Sequence, residues 1–127
     1  RRYNAVNFLK EYIDTYLSDE KVIVIGDLND ELTDPEKDNV FWNFISKPDE
    51  YLFVDMEIAN GPPENFSHLN GIHLDHILVT NELFDYVGEV QTVLYDFDND
   101  GDSDANDWWI YEHYITDHRP LRISIIK

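Results

Sequence analysis

The stretch "KVIVIGDLND", residues 21–30, decides how the chain folds around it. A short, continuous apolar run that ends at a glycine is typical of a β-strand buried on both faces. We therefore expect a strand over residues 21–27, with Asp27 and Asn29 just past its apolar part, where open α/β sheets place their chemistry. Asp27 is suited to orient a water molecule or hold a metal ion, and Asn29 to hydrogen-bond a phosphate oxygen. The alternative is a turn in which both side chains cap their own backbone.

Helical and strand patterns alternate along the rest of the chain. Apolar residues at helical spacing predict a surface helix over 4–17 and a short helix over 39–46. Further strands are predicted by apolar or alternating runs at 51–56, 74–80, 89–95 and 120–126. This interleaving predicts an α/β or α+β class with a layered sheet and one domain over residues 1–127.

Composition narrows the functional classes. With 127 residues, 43% of them hydrophobic, the chain is long enough for one compact domain. Its formal net charge of -18 would repel a phosphate backbone unless metal ions bridged the two. The absence of cysteine excludes disulfides and thiolate zinc sites, and the lack of a long apolar run predicts no transmembrane segment.

Two more segments carry residues that are suited to catalysis. In "HLDHILVT", residues 73–80, Asp75 enters an otherwise apolar strand, where a carboxylate is costly to bury without a partner. In "YITDHRPLRI", residues 114–123, Asp117 and His118 precede the last strand. A buried aspartate fixes the tautomer of a histidine and raises its basicity, so we expect Asp75 and His118 to pair. Taken alone, an Asp-His dipeptide is more often part of a turn.

The ordered set "GDLND", "LDHILVT" and "TDHRPL" resembles the C-terminal half of the endonuclease/exonuclease/phosphatase superfamily. That superfamily includes pancreatic-type deoxyribonuclease, apurinic endonucleases, sphingomyelinases and inositol polyphosphate phosphatases, whose signatures look like "GDFN", "IDYI" and "SDHxP". The chain departs from them at Thr116, where Ser is usual, and at His76, where Tyr is common. The matching positions are Gly26, Asp27, Asn29, Asp75, Ile77, Asp117, His118 and Pro120.

This resemblance implies half of a four-layer sandwich of two sheets, in which a mostly antiparallel mixed sheet has flanking helices and the active site lies between the sheets. The family's N-terminal half carries an asparagine and a metal-binding glutamate without counterpart in these residues, and it is the expected partner of this half in a monomeric protein. The implied activity is metal-dependent hydrolysis of a phosphate ester, in a nucleic acid, a phospholipid or a small phosphoester.

The resemblance also implies roles for individual residues. Mg²⁺ or Mn²⁺ would be held by Asp27, Asn29 and Asp117. The implied catalytic set is Asp27, Asn29, Asp75, Asp117 and His118. Apart from the resemblance, His68 and Asn70, near "LNGI", are candidates for lining a substrate cleft together with Asn29, although residues of this kind more often form a polar surface loop.

An acidic segment, "YDFDNDGDSDANDWW" at residues 95–109, has the spacing of an EF-hand calcium loop and resembles the loop of dockerin modules. Asp96 takes position 1, Gly101 the turn at position 6, and the exiting helix would be "DWWIYEHYI", residues 107–115. A solvated run of charges is the alternative. We expect a structural Ca²⁺, which would order the segment that carries His118. The predicted ligands are Asp96, Asp98, Asp100, Asp102 and Asp107.

Two functions of different classes therefore remain open. One is a divalent-metal phosphoesterase, and the other is a non-catalytic, calcium-dependent binding module that keeps the fold. An asparagine and a glutamate at strand ends upstream of these residues would favour the enzyme. Calcium binding and the lack of cysteine are typical of a secreted or periplasmic bacterial protein, which is our expectation for its location.

Overall fold

The computed structural model describes residues 1–126, while Lys127, the last residue of the predicted domain, lies outside the described residues. Helices and antiparallel sheets occur together, which confirms the predicted α+β class. Two 3₁₀ helices cover Pro63–Asn65 and Asn81–Tyr86. The other elements are α1 (Arg2–Tyr16), β1 (Ile23–Asp27), α2 (Trp42–Ile45), β2 (Tyr51–Phe53), α3 (Met56–Ala59), β3 (Asp75–Thr80), β4 (Val87–Thr92), α4 (Ala105–Tyr114) and β5 (Leu121–Ile125).

The strands form two small sheets. Three strands pair in the order β1-β3-β2, and β4 pairs with β5 in a second sheet. Every strand pairing within residues 1–126 is antiparallel. In the first sheet Ile23 lies opposite Val79 and Asp27 lies opposite Asp75. The carboxyl end of β1 and the start of β3 therefore share one edge of the sheet.

Strand β3 separates two hydrophobic clusters because its side chains alternate between the faces of the sheet. Leu78 faces the helices, where it packs with Ile13 of α1 and Phe44 of α2. Ile77 and Val79 face the other way, in a second cluster that includes Leu83, Leu121 and Ile123. The layers are therefore helices, a three-stranded sheet and a two-stranded sheet.

The predicted burial of β1 on both faces is wrong. Ile23 and Ile25 leave 42% and 62% of their surface exposed, on the face that also carries Asp27. β1 is an edge strand, and the second sheet packs over Ile77 and Val79 of β3 rather than over β1. The opposite face of β1 contacts the helical cluster through Val24.

Helix α1 follows the amphipathic pattern that the sequence predicts. Val6, Leu9 and Ile13 pack against the cluster shared with the sheet, and Phe8 and Tyr12 face outward. No helix within residues 1–126 combines the length and apolar character that crossing a membrane requires.

Replacing Leu78 by Ala should lower the free energy of unfolding by about 3 kcal/mol, because Leu78 is only 2% exposed and its removal leaves a cavity under the helices. Ile25→Ala, in the neighbouring strand, is the matched control and should cost under about 1 kcal/mol, since that side chain is mostly exposed. Urea unfolding of both variants measures the difference. Equal losses would contradict this assignment of the core.

Candidate active site

Two unusual backbone conformations, one near the end of β1 and one in the turn that follows, shape this segment. Gly26 has a φ of +147° and Asn29 a φ of +60°, the second in the left-handed region that asparagine tolerates better than most residues. The amide of Asn29 donates to Oδ1 of Asp27 at 2.9 Å, and its side-chain Nδ2 donates to Oδ2 at 3.2 Å. Both side chains are exposed, so the self-capped turn presents a carboxylate and an amide to solvent.

Asp75 and His118 form the pair that the sequence predicts. Nδ1 of His118 lies 2.7 Å from Oδ2 of Asp75, and both side chains are partly buried. Directly opposed residues of antiparallel strands point to the same face, so Asp27 lies on the Asp75 side of the sheet. Three segments that are far apart in the chain therefore meet at one edge.

The surrounding charges act on the histidine. Burial of the imidazole lowers the pKa of His118, but the hydrogen bond and charge of Asp75, together with the charges of Asp27 and Asp117, raise it by more. The net pKa lies above the ordinary histidine value. Nδ1 donates to Asp75, so Nε2 carries a proton only in the imidazolium form, which the raised pKa of His118 favours; in that form Nε2 is the donor that faces a ligand.

His68 joins the site from the loop before β3. Its ring meets the ring of His118 edge to face, with centroids 4.8 Å apart, and Nε2 lies 3.5 Å from Oδ2 of Asp117. Nδ1 of His68 accepts from the backbone amide of Asn70 at 3.1 Å, which places the ring proton of the neutral imidazole on Nε2. His68 is therefore a hydrogen-bond donor beside His118. Asn70 is exposed and contributes its backbone to this arrangement.

Ser67 and Arg119 hold these segments together, although neither was identified from the sequence. Oγ of the buried Ser67 accepts from the amides of Leu74 and Asp75, at 3.1 and 3.0 Å. The carbonyl of Ser67 accepts from the amide of Arg119 at 2.6 Å. The guanidinium of Arg119 donates to the carbonyl of Phe66 and lies over the ring of Trp108 at 3.9 Å. These contacts fasten the chain around Asp75 and His118.

A second network lies on the opposite face of β3, in the core. Asp55 is completely buried, and its Oδ2 contacts Nε2 of His73 at 3.0 Å and Nδ1 of His76 at 2.7 Å. Burial raises the pKa of Asp55, but the bonds from His73 and His76 and from the amide of Ile77 lower it by more, so the net pKa is below its usual range. The signal was present in "YLFVDM", residues 51–56, where Asp55 interrupts an apolar run as Asp75 does.

Within residues 1–126, three groups of side chains are compact enough to hold a metal ion. In the buried group, Nδ1 of His73 accepts from the amide of Ser67 at 3.1 Å, so its Nε2 carries a proton and donates to Asp55 instead of binding a cation. The groups that expose carboxylate oxygens are better suited to Mg²⁺ or Ca²⁺. The three groups are Asp55, His73 and His76; His68, Asp117 and His118; and Asp96, Asp98 and Asp107.

The acidic loop adopts part of the predicted arrangement. Gly101 has a φ of +104°, as the sharp turn requires, and carboxylate oxygens of Asp96, Asp98 and Asp107 lie within 4.8 Å of one another. Asp100 and Asp102 do not join this group, and Oδ1 of Asp100 accepts from the amide of Asp102 at 3.2 Å.

Asp107 belongs to the loop and to the helix that follows. Its Oδ1 accepts from the amide of Phe97 at 2.7 Å, and its Oδ2 accepts from the amide of Asp104 at 3.1 Å, in a capping box that opens α4. Helix α4 therefore begins before Asp107, at Ala105. Each carboxylate oxygen has a second lone pair, so these bonds leave capacity for a cation.

The exposed aspartates of the loop repel one another. The pKa of Asp98 is raised by loss of solvation and then by the charges of Asp100, Asp107 and Asp96. The pKa of Asp102 is raised first by the charge of Asp100 and next by loss of solvation. Their raised pKa values reflect an excess of negative charge that a bound cation would relieve.

Comparisons of the chain with protein-family models, with curated proteins and with solved structures gave no match. The chemistry that the site can perform follows from its own geometry. That geometry brings a carboxylate and an amide, a histidine raised in basicity and a second histidine donor to one edge of a sheet.

The raised pKa of His118 can be measured directly by NMR of its ring nitrogens in metal-free buffer. We expect the ring to titrate above the ordinary histidine range, and Asp75→Asn to bring the pKa down because the charged acceptor is lost. Since the folded pKa is raised, the pair stabilises the fold below the unfolded pKa, and this stabilisation is lost as pH rises through the folded pKa.

Asp49→Asn removes an exposed aspartate outside the site and is the matched control. It should leave the titration of His118 unchanged. If His118 titrated alike in the native protein and in Asp75→Asn, the pairing with Asp75 would not be the cause of the raised pKa.

Proposed function

We propose that this chain carries the catalytic carboxylates and histidine of a divalent-metal-dependent phosphoesterase, similar to the C-terminal half of the endonuclease/exonuclease/phosphatase superfamily. One observation carries the proposal: Asp27 lies opposite Asp75 across β1 and β3, and Asp75 accepts a hydrogen bond from His118. The three motifs of the resemblance thus meet in space. A turn that merely caps its own backbone accounts for the bonds between Asp27 and Asn29. It does not explain why His118 bonds to Asp75, which lies opposite Asp27.

The oxygen-rich edge of the site suits a hard cation. Asp27 and Asp117 are exposed carboxylates, and both lie close enough to His118 for their charge to raise its pKa. The side-chain oxygen of Asn29 supplies a neutral ligand of the type that Mg²⁺ and Mn²⁺ accept. We assign Asp27, Asn29 and Asp117 as the residues that would hold the ion. When bound, such an ion neutralises charge on the phosphoryl oxygens.

Side chains of the protein take the remaining catalytic roles. Asp27 orients or deprotonates the attacking water, and Asn29 holds this water or the phosphate in line with the bond that breaks. His118 donates from Nε2 to an oxygen on which negative charge develops, while Asp75 keeps its ring oriented. His68, with its proton on Nε2, is a second donor beside His118 and supports a role in binding the phosphate ester.

The exposed apolar side chains of β1 support the expectation of a second half-domain. Ile23 and Ile25 lie on the face of Asp27, on the part of it that the second sheet leaves exposed. Exposed apolar side chains that adjoin one another on a sheet face are typical of an interface. We assign this surface to the N-terminal half-domain that the resemblance implies, which would close the cleft above the site.

Replacing His118 by Ala should lower kcat for hydrolysis of bis-p-nitrophenyl phosphate in Mg²⁺ by about 10²- to 10³-fold, because a charged donor to the transition state is lost. The assay uses the longest natural protein that contains these residues. His113→Ala is the matched control, since His113 is exposed on α4 and stacks on Trp109 outside the site.

Turnover by His118→Ala at the rate of the unchanged protein would overturn the assignment. A protein that binds Ca²⁺ and has no turnover with phosphodiesters in Mg²⁺ or Mn²⁺ would instead favour the non-catalytic binding module. The group in the loop that supports this second function is Asp96, Asp98 and Asp107.

For the acidic loop we assign a structural Ca²⁺. The exiting helix α4 contacts the segment of His118 through Trp108 and Arg119, so order in the loop reaches the site by a short path. A stabilising calcium ion is in keeping with a secreted or periplasmic protein of bacterial origin. The residues assigned as ligands are Asp96, Asp98 and Asp107, with Asp100 and Asp102 after rearrangement of the loop.

Removing Ca²⁺ with excess EGTA should lower the Tm by on the order of 10 °C if the ion is present well above its Kd. Asp98→Asn should reduce this difference, whereas Asp85→Asn, an exposed aspartate outside the loop, should preserve it. Tb³⁺ luminescence excited through Trp108 and Trp109 reports binding independently. An unchanged Tm together with absent Tb³⁺ luminescence would exclude the site.

A further inference from the structure

A histidine lies in the core directly behind the proposed catalytic edge. His76 follows Asp75 in β3, so its side chain points to the opposite face of the sheet and is completely buried. The rings of Phe41 and Phe53 meet the imidazole edge to face, with centroids 5.6 and 6.0 Å away. A polar ring in such surroundings is costly unless each nitrogen has a hydrogen-bond partner.

Both nitrogens of His76 have partners, and the two partners lie in different parts of the chain. Nδ1 contacts Oδ2 of Asp55 at 2.7 Å, and Nε2 contacts the backbone carbonyl of Asp30 at 2.8 Å. A carbonyl oxygen only accepts, so Nε2 donates to it. Asp55 is itself held by the amide of Ile77 at 2.9 Å and by His73. The ring is therefore fixed at one end and holds the loop at the other.

The carbonyl that His76 holds belongs to the proposed catalytic turn. Asp30 follows Asn29, whose positive φ and bonds to Asp27 define the aim of both side chains. Arg2 also reaches Asp30, at 2.8 Å, but through an exposed side-chain ion pair of the kind that contributes little. The bond from His76 comes from a completely buried group, which restrains the backbone more strongly.

We propose that His76, anchored by Asp55, is a positioning residue. Through its hydrogen bond to the carbonyl of Asp30 it fixes the orientation of the Asp27 and Asn29 side chains. The proposal rests on the proposed function for its effect on catalysis. The hydrogen-bond assignment and the order of the turn stand apart from that function and are measured separately. His76 is completely buried and out of reach of a bound substrate or metal, so its effect is on geometry.

Two substitutions test the hydrogen bonds of the two ring nitrogens separately. The amide nitrogen of Gln reaches the place of Nε2, so His76→Gln keeps a donor for Asp30 and loses the bond to Asp55. The amide nitrogen of Asn reaches the place of Nδ1, so His76→Asn keeps the bond to Asp55 and releases Asp30. Each variant loses one hydrogen bond and part of a buried ring, which makes the pair a matched comparison.

In the longest natural protein that contains these residues, we expect kcat of His76→Asn with bis-p-nitrophenyl phosphate to fall at least about tenfold, with KM little changed. His76→Gln should retain most of kcat. Hydrogen exchange at the amide of Asn29 is the second readout, because that amide is bonded to Asp27 within the turn. It should speed up at least about tenfold in His76→Asn and stay near the native rate in His76→Gln.

The results separate the possible failures. Equal effects of the two variants on the exchange of Asn29, or a larger effect of His76→Gln, would overturn the positioning role. No turnover by the unchanged protein would defeat the proposed function, while the exchange comparison would still decide the role of His76. If either variant fails to fold, NMR of the unchanged protein decides: a protonated Nε2 with contacts to residues 29–31 supports the proposal, and an unprotonated Nε2 overturns it.

Discussion

The antiparallel pairing of β1 with β3 is the constraint on which the site depends. Its register places Asp27 opposite Asp75, although the two residues lie at different ends of their strands. Two carboxylates in this arrangement repel each other, and positive charge nearby relieves the repulsion. His118 supplies part of it through its bond to Asp75. A slip of one residue would turn one of the carboxylates toward the helical core, so the register that buries Leu78 also assembles the site.

The alternation of side chains along β3 lets one strand serve two networks. Asp75 faces the open edge with His118, whereas its neighbour His76 faces the core with Asp55. The first network is exposed enough to meet a ligand, and the second is closed, with its donors and acceptors satisfied inside the protein. The two networks lie on opposite faces of one sheet. The buried His76 therefore holds, from the core, the loop of Asp30 that reaches solvent. This role also gives buried polar residues in a small domain a reason other than stability, because an apolar core would be the simpler way to stabilise the sheet.

Much of this organisation could be predicted from local patterns, and the rest could not for physical reasons. The run that forms β1 and the isolated Asp75 in an apolar strand are local signals, and the predicted partnership of Asp75 with His118 followed from chemistry. Burial on both faces of β1 was predicted wrongly, because a continuous apolar run does not reveal which strand lies at the edge of a sheet. Ser67 was missed because its partners are the backbone amides of other residues. Almost every residue has such an amide, so the sequence gives no signal for these bonds. Asp55 carried the same signal as Asp75, and only the fold separates their tasks.

Electrostatics connects the two acidic regions of the molecule. With a net charge of -18, the protein opposes the approach of a phosphate ester, and the loop around Asp98 adds repulsion of its own. A bound cation would offset the negative charge in both places, with a different effect in each. In the loop a cation would permit folded carboxylates to remain close to α4, which touches Arg119 through Trp108. At the edge of β1 it would make room for a phosphate beside Asp27. Under the proposed function, the same negative charge that repels phosphate from the metal-free protein would make phosphate binding depend on a bound metal ion, and this dependence would be a source of selectivity.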